Sequence, residues 1–279
     1  MSERLADVRA RIAGVEQLGS VVNAMRGIAA ARAQAARNRL AAVDAYAQTI
    51  VSAIGRALPL TAHASAAARR EGRRGLVAFG AEQGFAGGFS ERVFDALGAD
   101  LAACELFLVG ARAAVIAGQR DIQPFWTGAM PSHSDAAPKF ADRIAQKIFE
   151  RIAVEEIVRL DMAFVSWRAG RGFTVERARL FPLDPSLFPR AAERIAPLIH
   201  LDADALLSDL AGEYLHAELC RAILHSFAAE NQARVEAMAS TRRQVDRMLA
   251  SLRADERRVR QEEITDEIIE LAAGQILPR

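Results

Sequence analysis

The sequence predicts a chain of mixed class: an α/β domain, small and mainly parallel, flanked by two very long helices suited to coiled-coil packing. Three observations carry this. Apolar residues recur in alternating steps of three and four over more than fifty residues at the N-terminal end. A second such pattern, free of proline and glycine, fills most of the C-terminal end. Between them the texture changes to short β-prone runs separated by helical patterns.

Composition agrees with that division. With 279 residues, 51% hydrophobic and 25% charged, the chain has material for one large domain or two modest ones, and disorder is excluded. Aromatics are only 6% and alanine is abundant, which favours helix over a β-sandwich. A net charge of +1 gives no global attraction to nucleic acid or to an anionic membrane. The longest charge-free run, Ile122 to Ser134, holds two prolines and falls well short of the ~18 to 20 apolar residues of a membrane span, so a soluble chain is expected. Charges begin at Glu3 and Arg4 and a helical pattern runs by Leu5, leaving no room for a signal or transit peptide. Cys104 and Cys220 lie far apart without a CxxC spacing, which argues against a disulfide framework or zinc site and fits a reducing cytoplasm.

The first helix is expected from Ser2 to about Leu58. Its seam is residues 5, 8, 12, 15, 19, 22, 26, 29, 33, 36, 40, 43, 47, 50 and 54, where only Gly19 and Arg26 are not apolar. Pro59 ends it by removing a donor and clashing with the preceding turn. Alanines between Ile28 and Ala36 let a neighbouring backbone approach, while Gly19 and Gly27, at about 1 kcal/mol each against alanine, require a partner to offset them.

In the centre, strands are expected at Leu76 to Gly80, Leu106 to Gly110, Met162 to Trp167 and Phe173 to Leu180, with a weaker signal at Ile122 to Trp126. Helical patterns occupy Ser90 to Leu101 and Lys139 to Val158. The Gly-, Pro- and Ser-rich stretch Thr127 to Pro138 reads as a mobile loop.

A short helix capped by Asp202 or Asp204 and broken at Gly212 should precede the last long one, Glu213 to about Ala273. Its seam is 224, 228, 231, 235, 238, 242, 245, 249 and 252, all apolar but Asn231 and Arg242. Arg253 to Glu263 is so charged, with Val259 its one large apolar side chain, that little self-burial is expected there. At 1.5 Å per residue the two helices would be roughly 80 to 85 Å and roughly 90 Å long. A compact globule of this size has a radius of gyration of about 19 Å, so both must protrude. The seams predict antiparallel pairing that brings Ala29 to Ala36 near Val235 to Leu252. The resulting division is a shaft helix over 1–58, an α/β domain over 59–201, and a short helix with the second shaft helix over 202–279.

Chemistry is sparse. Gly80, Gly84, Gly87 and Gly88 follow a strand and precede a helix, where a phosphate loop would lie, but neither GxGxxG nor GxxxxGK[ST] occurs, so a tight structural turn is preferred. His63, His133, His200, His216 and His225 fit no catalytic motif. His216 and Cys220, one helical turn apart, lack a second ligand pair, and ordinary packing is preferred over a metal. No catalytic residue, cofactor or metal site is assigned. From Gln17 to Val43 the first helix carries Arg26, Arg32, Arg37 and Arg39 and no acid. Without interleaved aromatics this basic face suits an acidic protein surface better than nucleic acid, a merely solvated helix side being the plain alternative.

Val21-Val22-Asn23-Ala24-Met25-Arg26-Gly27-Ile28-Ala29-Ala30-Ala31-Arg32 resembles the opening helix of the gamma subunit of F-type ATP synthases, with arginine in place of both family lysines. Gly84-Phe85-Ala86-Gly87-Gly88 resembles the family's Gly-Leu-Cys-Gly-Gly turn without its cysteine. Ala229-Glu230-Asn231-Gln232-Ala233-Arg234-Val235-Glu236-Ala237-Met238 and Arg260-Gln261-Glu262-Glu263-Ile264-Thr265-Asp266-Glu267-Ile268 match the start and end of its last helix. Arg242-Arg243 and Arg257-Arg258-Val259 stand where the family has asparagine-containing pairs, which marks a divergent branch.

The resemblance implies an antiparallel, left-handed coiled-coil shaft on a Rossmann-like α/β foot. That shaft would be a non-catalytic rotor coupling ion flow through the membrane ring to ATP synthesis or hydrolysis. It also implies the partners: alpha and beta subunits of the catalytic ring, an epsilon-type subunit and the c-subunit ring, on the cytoplasmic face of a bacterial inner membrane as a peripheral component, with no nucleic acid. Met25, Arg26 and Arg32 would face the catalytic subunits low on the shaft, and Arg260, Gln261, Thr265 and Glu267 would meet them higher up. Two other readings stay open: a free-standing coiled-coil adaptor with a non-catalytic α/β domain, and a nucleotide-dependent α/β enzyme.

Overall fold

A computed structural model describes residues 3–60, 72–154, 157–189 and 198–275. The N-terminal pattern forms one unbroken helix, α1 (Glu3–Ala57), which passes into a 3₁₀ turn at Leu58–Leu60 around Pro59. Every seam position except Arg26 is buried or half-buried, as the spacing requires.

The central elements follow as β1 (Arg73–Phe79), α2 (Phe89–Leu97), α3 (Asp100–Ala103), β2 (Glu105–Val109), α4 (Ala111–Gln119), β3 (Trp126–Gly128), α5 (Ala137–Ala153), β4 (Ile157–Arg168) and β5 (Gly172–Phe181). The last helix is α6 (Ala203–Gln275). The chain divides into two compact units, Ala30–Ala233 and the pairing of Met1–Ala29 with Arg234–Arg279.

In the unit Ala30–Ala233 a single sheet has the order β3-β2-β1-β4-β5. β1 pairs in parallel with β2 and β4, and β2 in parallel with β3, while β4 and β5 form an antiparallel hairpin. The period-two alternation of β1 sends Val77 and Phe79 into a core with Phe140, Ile144 and Ile148 of α5 and Leu219, Ile223 and Phe227 of α6. Leu76 and Ala78 go to the other face, with Val93 and Phe94 of α2 and Ile116 of α4. A third cluster joins Ile54, Phe188 and Tyr214, the last two rings meeting edge-on at 5.4 Å.

Several expectations are corrected. Gly212 does not break the last helix: α6 runs through it from a cap at Asp202, whose Oδ2 accepts from the N–H groups of Asp204 (3.1 Å) and Ala205 (3.2 Å). Leu207 and Leu210 before the glycine and Tyr214 after it pack on Ile54 and Phe188, and this burial outweighs a glycine penalty of about 1 kcal/mol. The weak strand at Ile122 to Trp126 lies instead at Trp126–Gly128, because Pro124 has no N–H for a ladder and pairing starts at Phe107 with Trp126. The stretch Thr127 to Pro138 is tied in place: Met130 and Ser134 are buried, and Arg39 pairs with Asp135 at 2.6 Å. Helix α4 has no counterpart among the expected elements. The helical pattern expected to Val158 ends at Ala153, and Glu155 and Glu156 lie outside the described residues.

In the other unit the helices are antiparallel. Arg4 pairs with Glu262 (3.2 Å), Arg9 with Glu256 (2.9 Å) and Glu16 with Arg253 (2.7 Å). Leu5, Val8 and Val22 of α1 and Met238, Val245, Leu249, Leu252 and Val259 of α6 are buried. Val259 is therefore less exposed than its charged surroundings suggested. The register also differs from expectation. Gly19 stands against Val245 and Arg242, while Ala36 belongs to a cluster with Leu224, Phe227 and Ala228. A one-heptad slip leaves apolar against apolar, so seam spacing alone does not set the register; the ion pairs and the room at Gly19 distinguish it. A Cβ on Gly19 would stand 3.2 Å from Val245 Cγ1. With Cys104 and Cys220 replaced by alanine, Gly19→Cys with Val245→Cys should close a disulfide within one chain under mild oxidation. Ala29→Cys with Val245→Cys, displaced by about 15 Å along the helix, should not. Non-reducing electrophoresis separates the two outcomes, and closure of only the second pair would refute this register.

Candidate functional site

Within α1 the seam faces inward, but a second three–four series, Leu18, Val21, Met25, Ile28 and Arg32, runs along another face. Leu18, Val21 and Ile28 are 49%, 51% and 56% exposed, with Met25 and Arg32 half-buried. Arg26 is exposed beside this stripe and donates to Asn23 Oδ1 at 3.0 Å. The basic face is narrower than expected. Arg37 lies over the Trp167 ring at 5.8 Å and donates to Gln34, and Arg39 is held by Asp135 and Ser134. Arg26 and Arg32 are thus the members left beside the apolar stripe.

On α6 the last deeply buried residue is Val259. Arg4 at the start of α1 already meets Glu262, so α6 continues beyond the described part of α1. Every residue from Ile264 to Ala272 is exposed there, including Ile264 (51%), Ile268 (60%), Ile269 (59%) and Leu271 (71%). The expected residues sit at the root of this overhang. Arg260 pairs with Glu256 at 3.2 Å, and Thr265 Oγ1 donates to the Gln261 carbonyl at 2.8 Å. Gln261 and Glu267 are exposed. Glu256 is held below the usual carboxylate range, first by the hydrogen bond from Arg9 and then by the charges of Arg260 and Arg257. The structure brings Arg9 and Arg260 together on Glu256, leaving the arginine edge, Gln261 and the isoleucines facing outward. Sequence reasoning marked the polar members and missed the exposed isoleucines. Their signal was the continuation of apolar residues past Glu263, where no described residue of α1 covers them.

In the central unit the glycine loop after β1 meets a carboxylate of its own chain. At the C-terminal ends of β1 and β2, where an open α/β sheet binds its ligands, several donors are already engaged. Glu230 of α6, 3% exposed, accepts from the N–H groups of Glu82 (2.9 Å) and Gln83 (3.1 Å). Glu82 in turn accepts from Ala111 N (2.9 Å), at the start of α4, and Met130 N (2.7 Å). Gly110, at φ +117°, is required because a Cβ would come within 2.6 Å of the Ala81 carbonyl oxygen. His216 donates to or accepts from Cys220 Sγ at 3.3 Å and meets Asp142 through Nδ1 at 2.8 Å. Burial pushes the Cys220 thiol up to about 12, which leaves it protonated and a poor ligand. Among the described residues no group of three or more His, Cys, Asp and Glu side chains could hold a metal ion, and no helix is long and apolar enough to cross a membrane.

A family model described as ATP synthase matches residues 4–275. An ATP synthase gamma chain of Anaeromyxobacter sp. (strain Fw109-5) is 28% identical, with 97% of each chain covered. Two solved structures share the fold. A chain of the Euglena gracilis mitochondrial ATP synthase (OSCP/F1/c-ring, rotational state 3) has a TM-score of 0.66 at 12% identity, over 99% of this chain and 97% of that one. A chain of the Tetrahymena thermophila mitochondrial ATP synthase central stalk and c-ring has 0.57 at 15% identity, over 79% and 99%.

Proposed function

The chain belongs to the ATP synthase gamma family, and from that premise we propose that it is the non-catalytic rotor shaft of an F-type enzyme. It turns inside a ring of alpha and beta subunits. Residues 59–201 form the foot, on the c-subunit ring and beside an epsilon-type subunit, at the cytoplasmic face of a bacterial inner membrane. The observation that carries this reading is the overhang of α6, which has no partner among the described residues and exposes Ile264, Ile268, Ile269 and Leu271. Such a surface requires an apolar sleeve supplied by other subunits. The stripe from Leu18 to Ile28, flanked by Arg26 and Arg32, offers a second contact to the ring.

The shaft works by differential contact. The two helices differ at every level along the rod, so each rotational angle presents a different surface to each of three otherwise equivalent catalytic sites. It biases which site binds, holds or releases nucleotide. No chemistry is asked of this chain, and the engagement of the Glu82, Gln83 and Ala111 N–H groups by its own carboxylates supports that assignment.

Reconstitution tests it. The isolated chain should not hydrolyse ATP, while a ring of partner subunits should gain steady turnover when the chain is added. Hydrolysis by the chain alone, lost on changing Gly84 or Gly87, would instead establish the enzyme reading. Self-association of the isolated chain on sedimentation, with no effect on the ring, would establish the adaptor. Within the reconstituted complex, Arg260→Ala with Gln261→Ala should lower multisite turnover or assembly more than Arg26→Ala. Removing a hydrogen-bonded charge enclosed by the ring is worth about 1.5 to 3 kcal/mol, against ~0 to 1 kcal/mol for an exposed charge contact. Equal or smaller effects from the C-terminal pair would show that these residues are misassigned.

A further inference from the structure

We propose that the Glu230 carboxylate is a positioning group that grips the sheet and passes turning force from it to α6; this rests on the rotor reading above. The loop after β1 directs successive N–H groups onto side-chain oxygens. Ala81 N donates to Ser90 Oγ (3.0 Å), Glu82 N to one Glu230 oxygen (2.9 Å) and Gln83 N to the other (3.1 Å). Consecutive amides converging on one carboxylate form an anion-binding nest, and the anion here is a covalent part of the long helix. Glu82 repeats the device in the opposite direction through Ala111 and Met130. Arg112 N and Ala113 N close the arrangement on the carbonyls of Glu82 (3.2 Å) and Ala81 (2.9 Å). Two carboxylates therefore fasten the ends of β1 and β2, the segment after β3, and α6 to one another.

The neighbouring α6 residues that face the sheet, Ala229 and Ala233, contribute apolar contact. Apolar contact is non-directional. Charge-assisted hydrogen bonds have defined directions and about twice the strength of neutral ones. Glu230 is buried, α6 continues without a break to Gln275, and the same loop presents Phe85, 67% exposed at φ +61°. A load applied to the sheet reaches the helix through this grip, and the exposed loop tip keeps a fixed orientation on it.

The test uses Glu230→Ala and Glu230→Gln in the full chain and in the reconstituted, membrane-embedded complex, with formate as a free carboxylate. Three quantities are measured: amide hydrogen exchange at Glu82 and Gln83, assembly, and ions pumped per ATP hydrolysed. In Glu230→Ala the two amides should exchange about tenfold faster or more, and pumping per ATP should fall severalfold at unchanged assembly. Glu230→Gln, which keeps one acceptor oxygen, should fall between this variant and the wild type and serves if the alanine variant fails to assemble. Formate should restore slow exchange by filling the nest but leave pumping low, because it is not attached to α6. Pumping unchanged in both variants, or restored together with exchange by formate, would overturn the proposal and leave Glu230 a local stabiliser of the loop. A wild-type complex that neither hydrolyses nor pumps would refute the rotor reading itself.

Discussion

Replacing Ile264 and Ile268 together by glutamine should weaken the functional association of the chain with its catalytic ring about ten- to a hundredfold, while leaving the isolated chain almost untouched. Each isoleucine is more than half exposed in the chain, and burying such a side chain against a partner is worth about 1.5 to 3 kcal/mol. Only the exposed half or so of each remains to be buried, so two of them give a loss of about 1.5 to 3 kcal/mol, and 1.4 kcal/mol is a factor of ten. Glutamine is at least as good a helix former as isoleucine, and exposed substitutions usually change stability by within about 0.5 kcal/mol. Circular dichroism and melting of the free chain should therefore stay unchanged. Titration of chain into ring, followed by ATPase turnover, reads the effect; a titration curve that superimposes on the wild type would mean that the overhang is solvated in the complex.

The second large effect is structural. Phe107→Ala should destabilise the central domain by about 3 to 5 kcal/mol, a large fraction of the ~5 to 15 kcal/mol total typical of a folded domain. Phe107 is fully buried on β2, and its ring meets Phe125 edge-on at 5.5 Å. The cavity would open between the sheet and α5, where two rigid layers cannot collapse to fill it. Urea unfolding followed by tryptophan fluorescence should show a lowered midpoint with little change in slope. A loss below about 1 kcal/mol would mean that the packing of that layer is looser than described.

The long helices were legible in the sequence because their physics is one-dimensional. Three–four spacing determines which face is buried, and the burial of α1 follows it at every seam position but Arg26. Strands β1, β2 and β4 were legible as apolar runs covered on both faces. What escaped was set by tertiary structure. Helix α4 is built largely from alanine around Ile116, so it carries neither a β signal nor a broad apolar stripe. Gly212 was judged by local propensity, and packing on Ile54 and Phe188 overrode it. The register of the coiled coil depends on pairs such as Arg9 with Glu256, whose partners are 247 positions apart in the chain.

The candidate site divides the same way. Met25, Arg26, Arg32, Arg260, Gln261, Thr265 and Glu267 came from motif resemblance, and the structure leaves the polar C-terminal group at the root of the overhang. The exposed isoleucines could not be distinguished from seam residues until the end of α1 was located opposite Glu262. The engagement of Glu230 with the glycine loop was equally hidden, since its two halves are 148 residues apart.

The alanines of the seam constrain how this protein can diverge over generations. Ala33 and Ala36 have no exposed surface, and Ala36 shares a cluster with Ala222 and Ala228. Elsewhere in the seam, a larger residue on one helix can be accepted if its neighbour across the interface shrinks. Here Ala222 and Ala228 have only a methyl group each to give up, and glycine in their place costs the helix about 1 kcal/mol, while an added methylene without relief costs about 1 to 3 kcal/mol. Compensating exchange between alanines is closed at these positions, leaving Leu224 and Phe227 to supply it, and is open at Leu5, Val8, Val245 and Leu249. Among descendants of this sequence, the positions around Leu5, Val8, Val245 and Leu249 should vary in coordinated pairs, while Ala33 and Ala36 should vary less.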